Sequence, residues 1–139
     1  MCRLRLYLIP LAVLFLGCQA TAAREGASAE VHALTGAHTR VVWVQGDGTD
    51  PFALSRNLVL MGFDTDDGRG ERVIIQQRGS YVKPMFTPRG DRIVFSSHPD
   101  FGDEAVYIVN FDGTGLRRFE RGFALDVWEN PADKSEWVY

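Results

Sequence analysis

The sequence predicts an all-β fold of short antiparallel strands, and three observations carry that prediction. Segments rich in β-branched and aromatic residues recur along the chain. Turn-forming sequences separate them, among them Gly46-Asp47-Gly48, Asp66-Asp67-Gly68-Arg69-Gly70, Arg89-Gly90-Asp91 and Asp112-Gly113-Thr114-Gly115. No stretch beyond the N-terminal region keeps a 3.6-residue apolar period.

The strands follow in order. Residues 39–44 (TRVVWV), 57–63 (NLVLMGF), 71–75 (ERVII), 92–97 (RIVFSS) and 105–111 (AVYIVNF) share the bias. Ahead of residues 92–97, Pro84-x-Phe86 reads as a further strand that Thr87-Pro88 stops. Pro88 fixes its own φ and has no N–H, so a strand ladder ends there. Arg89-Gly90-Asp91 then turns the chain. This triplet is also an adhesion motif, but a turn explains it without a partner.

The N-terminus stands apart. Arg3 and Arg5 precede an apolar run over residues 6–16, too short to span a bilayer as a helix and suited to a signal-peptide core. The run ends Phe15-Leu16-Gly17-Cys18, which resembles a bacterial lipobox. Residues 1–17 are therefore expected to be a lipoprotein signal peptide, with Cys18 carrying a lipid such as palmitate. The alternative is an ordinary secretory signal cut near Ala20-Thr21-Ala22. Cys2 would leave with the signal and Cys18 would be acylated, so no thiol remains for a disulfide or a nucleophile. Loss of Arg3 and Arg5 takes the formal charge from −3 to about −5, which argues against nucleic acid as a partner. Residues 18–37, rich in Ala, Gly and Ser, read as a flexible linker.

Beyond the linker the pattern repeats. Residues 57–74 (NLVLMGFDTDDGRGERVI) lie over residues 105–119 (AVYIVNFDGTGLRRF), so that Phe63-Asp64 matches Phe111-Asp112. Residues 38–44 match residues 90–96. Residues 126–139 match residues 83–95 with small insertions, placing Phe86 over Trp128, Pro88 over Pro131 and Phe95 over Tyr139. The units run approximately over 38–80, 81–121 and 122–139. A period of about 40–50 residues with about four short strands per unit is the signature of β-propeller blades. Such a sheet is apolar on both faces and buries itself by stacking on its neighbours.

The stretch from Lys83 through Phe119 resembles the repeat of TolB-type (WD40-like) propellers. The likeness rests on Pro84, Phe86, Pro88, Gly90, Ile93, Phe95, Tyr107, Asp112 and Gly113. It departs at Phe86, where the repeat has Trp, at Thr87 for Ser, and at Arg89-Gly90-Asp91 for Asp-Gly-Lys. The likeness covers one unit strongly and two weakly. It implies stacked four-stranded antiparallel blades and, by analogy, interaction with envelope proteins.

About two and a half units are present, where propellers usually have about 4 to 8 blades. Tyr139 falls within a repeat. The expectation is a truncated or fragmentary chain; completion of a ring by self-association through the open blade edge, and a small open sheet stack, are the alternatives.

No catalytic constellation is legible. His32, His38 and His98 are scattered, and neither a Gly-x-Ser-x-Gly elbow nor a phosphate-binding glycine loop occurs. Ser96-Ser97-His98 reads as a strand end, and residues 117–121 (RRFER) as outer-strand surface. The weak candidates for a metal are Asp64, Asp66, Asp67 and Glu71, whose oxygens suit calcium. Their spacing is wrong for an EF-hand and Arg69 and Arg72 neutralise them, so a solvated turn is the expectation and no cofactor is predicted. The resulting reading is a non-catalytic lipid-anchored scaffold, periplasmic or on the outer membrane, that binds an envelope protein or glycan. The alternative is the propeller portion of an envelope hydrolase or lyase of prolyl-oligopeptidase type, whose catalytic domain is not encoded here.

Overall fold

The computed structural model describes residues 26–97 and 104–139. The expected signal peptide, Cys18 and His98 lie outside the described residues.

Helix α1 covers residues 26–35, within the stretch expected to be a flexible linker. Ala27, Ala29, Glu30, Ala33 and Leu34 are good helix formers. The helix gives no apolar stripe because most of its residues are exposed. It ends where the Gly36 N–H bonds the His32 carbonyl at 2.8 Å. No helix among the described residues is long and apolar enough to cross a membrane.

Nine strands follow among the described residues. They are β1 (Arg40–Gln45), β2 (Leu58–Asp64), β3 (Arg72–Gly79), β4 (Val82–Phe86), β5 (Arg92–Ser96), β6 (Ala105–Asn110), β7 (Arg117–Arg121), β8 (Val127–Glu129) and β9 (Glu136–Val138). They form three antiparallel meanders, β1-β2-β3, β4-β5-β6-β7 and β8-β9, none of them closed. Each strand pairs with its sequence neighbour, as short turns between antiparallel strands require.

The three sheets stack. Leu58, Leu60, Ile74 and Ile75 of the first sheet form one core with Ile93, Phe95, Val109 and Phe111 of the second, joined by Tyr81 from just ahead of β4. On the opposite face of the second sheet, Val94, Val106 and Ile108 pack with Ala124 and with Val127 and Val138 of the third. The alternation of a strand explains this division. Along β5, Ile93 and Phe95 point to one side and Val94 to the other, and all three are buried. Full burial of each such side chain contributes about 1.5–3 kcal/mol. A run of consecutive apolar residues in a short strand therefore marks a sheet covered on both faces.

Aromatic rings fill the first interface. Phe95 stacks on Tyr107 at 5.4 Å and meets the edge of Tyr81 at 5.2 Å, while Phe86 packs on Phe111 at 5.5 Å. Gly62 lies under Phe111; a methyl group there would come within 2.9 Å of the ring and 2.8 Å of Ile74. The turn at residues 88–91 is held by a Gly90 N–H bond to the Thr87 carbonyl at 2.7 Å.

Hydrogen bonds correct the expected superposition of the units. Thr87 N–H bonds the Arg92 carbonyl at 2.9 Å, and Asn130 N–H bonds the Ser135 carbonyl at 2.8 Å. Asn130-Pro131 thus takes the place of Thr87-Pro88. Met85 then corresponds to Trp128, Val94 to Trp137 and Phe95 to Val138. Phe86 does not lie over Trp128, nor Phe95 over Tyr139. Burial gives the reason: Val127 and Val138 face the second sheet, which leaves the Trp128–Trp137 pair on the far side. Likewise, Thr65 N–H bonds the Thr39 carbonyl at 3.1 Å, and Phe111 N–H bonds the Asp91 carbonyl at 2.9 Å. Thr65, not Phe63, is the counterpart of Phe111. This shift of two residues keeps every side chain on the expected face.

Candidate functional site

One end of the first two sheets gathers charged side chains into a cleft of about 440 Å³. Arg40, Asp64, Asp67, Arg72, Asp91 and Phe111 line it, with Arg69, Asn110 and Asp112 at its rim. Strand ends place most of them: Arg40 opens β1, Asp64 closes β2, Arg72 opens β3, and Phe111 and Asp112 follow β6, while Asp67 and Arg69 sit in the loop between β2 and β3.

Asp64 is the centre of the network. Its side chain is 4% exposed. Arg40 Nε donates to Oδ2 at 2.6 Å, the Asp66 N–H donates to Oδ1 at 2.8 Å, and His38 Nε2 lies 2.8 Å from Oδ1. Burial raises the carboxyl pKa, but Arg40, the Asp66 amide and His38 outweigh it and lower it to about 2. The β1–β2 register places Arg40 directly opposite Asp64. Arg40 Nη1 also donates to the Gly90 carbonyl at 2.7 Å, so this side chain joins the first sheet to the second.

Phe111 forms the apolar floor. The guanidinium carbons of Arg40 and Arg72 stand 5.1 Å and 4.6 Å from its ring centroid, within cation–π range. Arg72 Nη1 lies 2.8 Å from Asp67 Oδ2. A buried aromatic ring approached by two cations, with carboxylates around them, is a charge-compensated surface rather than an apolar pocket.

The structure brings together only part of the acidic loop. Asp64 and Asp66 join His38, each offering one ligand atom within 4.8 Å of the others. Asp67 turns to Arg72, and Glu71 lies outside the cluster. His32 from α1 bonds Asp66 at 3.2 Å. Asp66 is held below the usual carboxylate range, first by the Thr65 hydroxyl and then by His38 and His32. The set could hold one divalent ion through His38, Asp64 and Asp66, but Asp64 already serves Arg40 and an amide. Neither ring nitrogen of His38 faces a nucleophile: Nε2 meets Asp64 and Nδ1 lies 4.0 Å from Asp66. His32 and His38 were not legible as members of this site. They are distant from the acidic loop in sequence, and only the β1–β2 pairing and α1 bring them to it.

A second cleft of about 440 Å³ lies at the other end of the same sheets, lined by Tyr81, Phe95, Tyr107, Arg78 and Leu116 among others. The arginines of residues 117–121 fall on edge strand β7, whose residues are all exposed.

No family model matches the chain, and no curated protein and no solved structure matches it significantly.

Proposed function

We propose that the protein is a non-catalytic scaffold of the cell envelope, built from propeller-type blades and tethered by lipid on Cys18. It presents the charged cleft to a protein partner. The observation that carries this reading is the second sheet, four-stranded and covered on both faces by neighbouring sheets. That arrangement is what blade-like units need, because each is apolar on both sides. The TolB-like pattern between Pro84 and Gly113 supports the same architecture. The cleft supports recognition rather than chemistry, since Asp64 is held by Arg40 and Asp67 lies against Arg72, and both arginines rest on an aromatic floor. In its lining Asp64, Asp67, Asp91 and Asp112 outnumber Arg40, Arg69 and Arg72, which suits a basic segment of a protein better than a neutral glycan.

A photo-crosslinking residue at position 69, on the cleft rim, tests the reading in intact cells. A discrete crosslinked protein from position 69, and none from position 121 on the outer strand, is the expected result. No crosslink at either position overturns it. Incorporation of labelled palmitate tests the anchor: Cys18→Ser should abolish labelling, and equal labelling of both chains removes the anchor.

A further inference from the structure

Both outer faces of the sheet stack are apolar. On the third sheet, Trp128 and Trp137 form a cross-strand pair that is 44% and 53% exposed. On the first sheet, Trp43, Met61 and Val73 form a row across all three strands. Neighbouring Val41 on that face is 40% exposed. Trp43, Met61 and Val73 are themselves partly exposed, and an apolar row of this kind marks an interaction surface.

The repeat indicates what covers each face. Trp128 and Trp137 take the places of Met85 and Val94, which pack in the second sheet's core against the third sheet. Trp43 and Met61 take the places of Phe95 and Tyr107, which pack in the second sheet's core against the first. Within the chain, a surface of the Met85–Val94 kind always meets the leading face of the following sheet. Among the described residues no further sheet packs on either face, and the two are thus the two halves of the interface that the chain already makes twice.

We infer that the chain self-associates head to tail, the Trp128–Trp137 face of one copy seating on the Trp43–Met61–Val73 face of a second. The contact is heterologous, because the two surfaces differ, and it continues the sheet stacking of the monomer. It uses sheet faces rather than the open blade edge. It does not depend on the proposed scaffold role, which the crosslinking experiment tests separately.

Sedimentation of the full chain in non-ionic detergent, at micromolar concentration, tests the inference. The unaltered chain is expected to sediment as multimers. Trp137→Glu and Trp43→Glu should each sediment at monomer mass, with strand content unchanged by circular dichroism. An equimolar mixture of the two variants should form dimers and nothing larger, because one intact face remains on each. A monomeric unaltered chain overturns the proposal and assigns the faces to another occupant. Self-association of Trp43→Glu alone, at unaltered strength, overturns the head-to-tail arrangement in favour of a symmetric tryptophan contact. An equimolar mixture that stays monomeric overturns it too. If either glutamate variant loses its strands, Trp137→Ser and Trp43→Thr replace the pair and the same mixing rule applies.

Discussion

Asp64 gains most from its surroundings and therefore ties stability to pH. Its folded pKa of about 2 lies below the ordinary 3.8. A carboxyl lowered on folding adds stability above its unfolded pKa, and that stability is lost as pH falls through the folded value. The contribution is about 2 kcal/mol at neutral pH. Asp64→Asn is expected to lower stability by about 2 kcal/mol at neutral pH in urea unfolding. Its deficit should shrink between about pH 4 and pH 2, where the native carboxylate itself is protonated. Two glycines give a second contrast. Gly90 and Gly113 have φ of +70° and +87°. Around Gly90 a Cβ meets nothing, whereas at Gly113 it would run into the Ile74 carbonyl oxygen. Gly90→Ala should cost about 1 kcal/mol, the backbone term alone. Gly113→Ala should cost roughly 1–3 kcal/mol more, because the obstacle is backbone and cannot turn aside. Thermal unfolding of both variants under one condition checks the ranking.

At the scale of elements, two-sided burial is the feature that matters. Ile93 faces the first sheet and Ile108 faces the third. Ile93→Ala and Ile108→Ala should each cost roughly 2–5 kcal/mol, measured by urea unfolding. In a sheet with one wet face, one of the pair would be nearly neutral. The strands themselves were legible because β-branched and aromatic runs alternate with glycine and aspartate turns. The uninterrupted apolar run Ile93-Val94-Phe95 already announced burial on both sides. Helix α1 was not legible: its residues are mostly exposed, so no apolar period marks it, and its helix-forming composition resembles that of a spacer. The superposition of residues 126–139 on residues 83–95 was misjudged because aromatic identity drew Trp128 onto Phe86. The proline-led turn and its Asn130–Ser135 bond fix the strand one residue away. The acidic loop was visible in the sequence, but its partners His32, His38 and Arg40 depend on strand pairing and on the packing of α1. Spacing along the chain carries no trace of either.

For the molecule as a whole, burial is shared between two interfaces that meet on one central sheet. Arginine side chains reinforce both. Arg40 ties the first sheet to the Gly90 turn, and Arg92 pairs with Glu136 of the third sheet. Such partly buried bidentate-capable cations add specificity of docking more than bulk stability. The most direct test is a methyl and aromatic NOE experiment on the folded chain. The account predicts contacts from Ile93 and Val109 to Leu60 and Ile75 on one side of the central sheet. On the other side it predicts contacts from Val94 and Ile108 to Val127 and Val138. Contacts on one side only, or Ile93 and Ile108 touching the same partner residues, would contradict the stacked-sheet architecture.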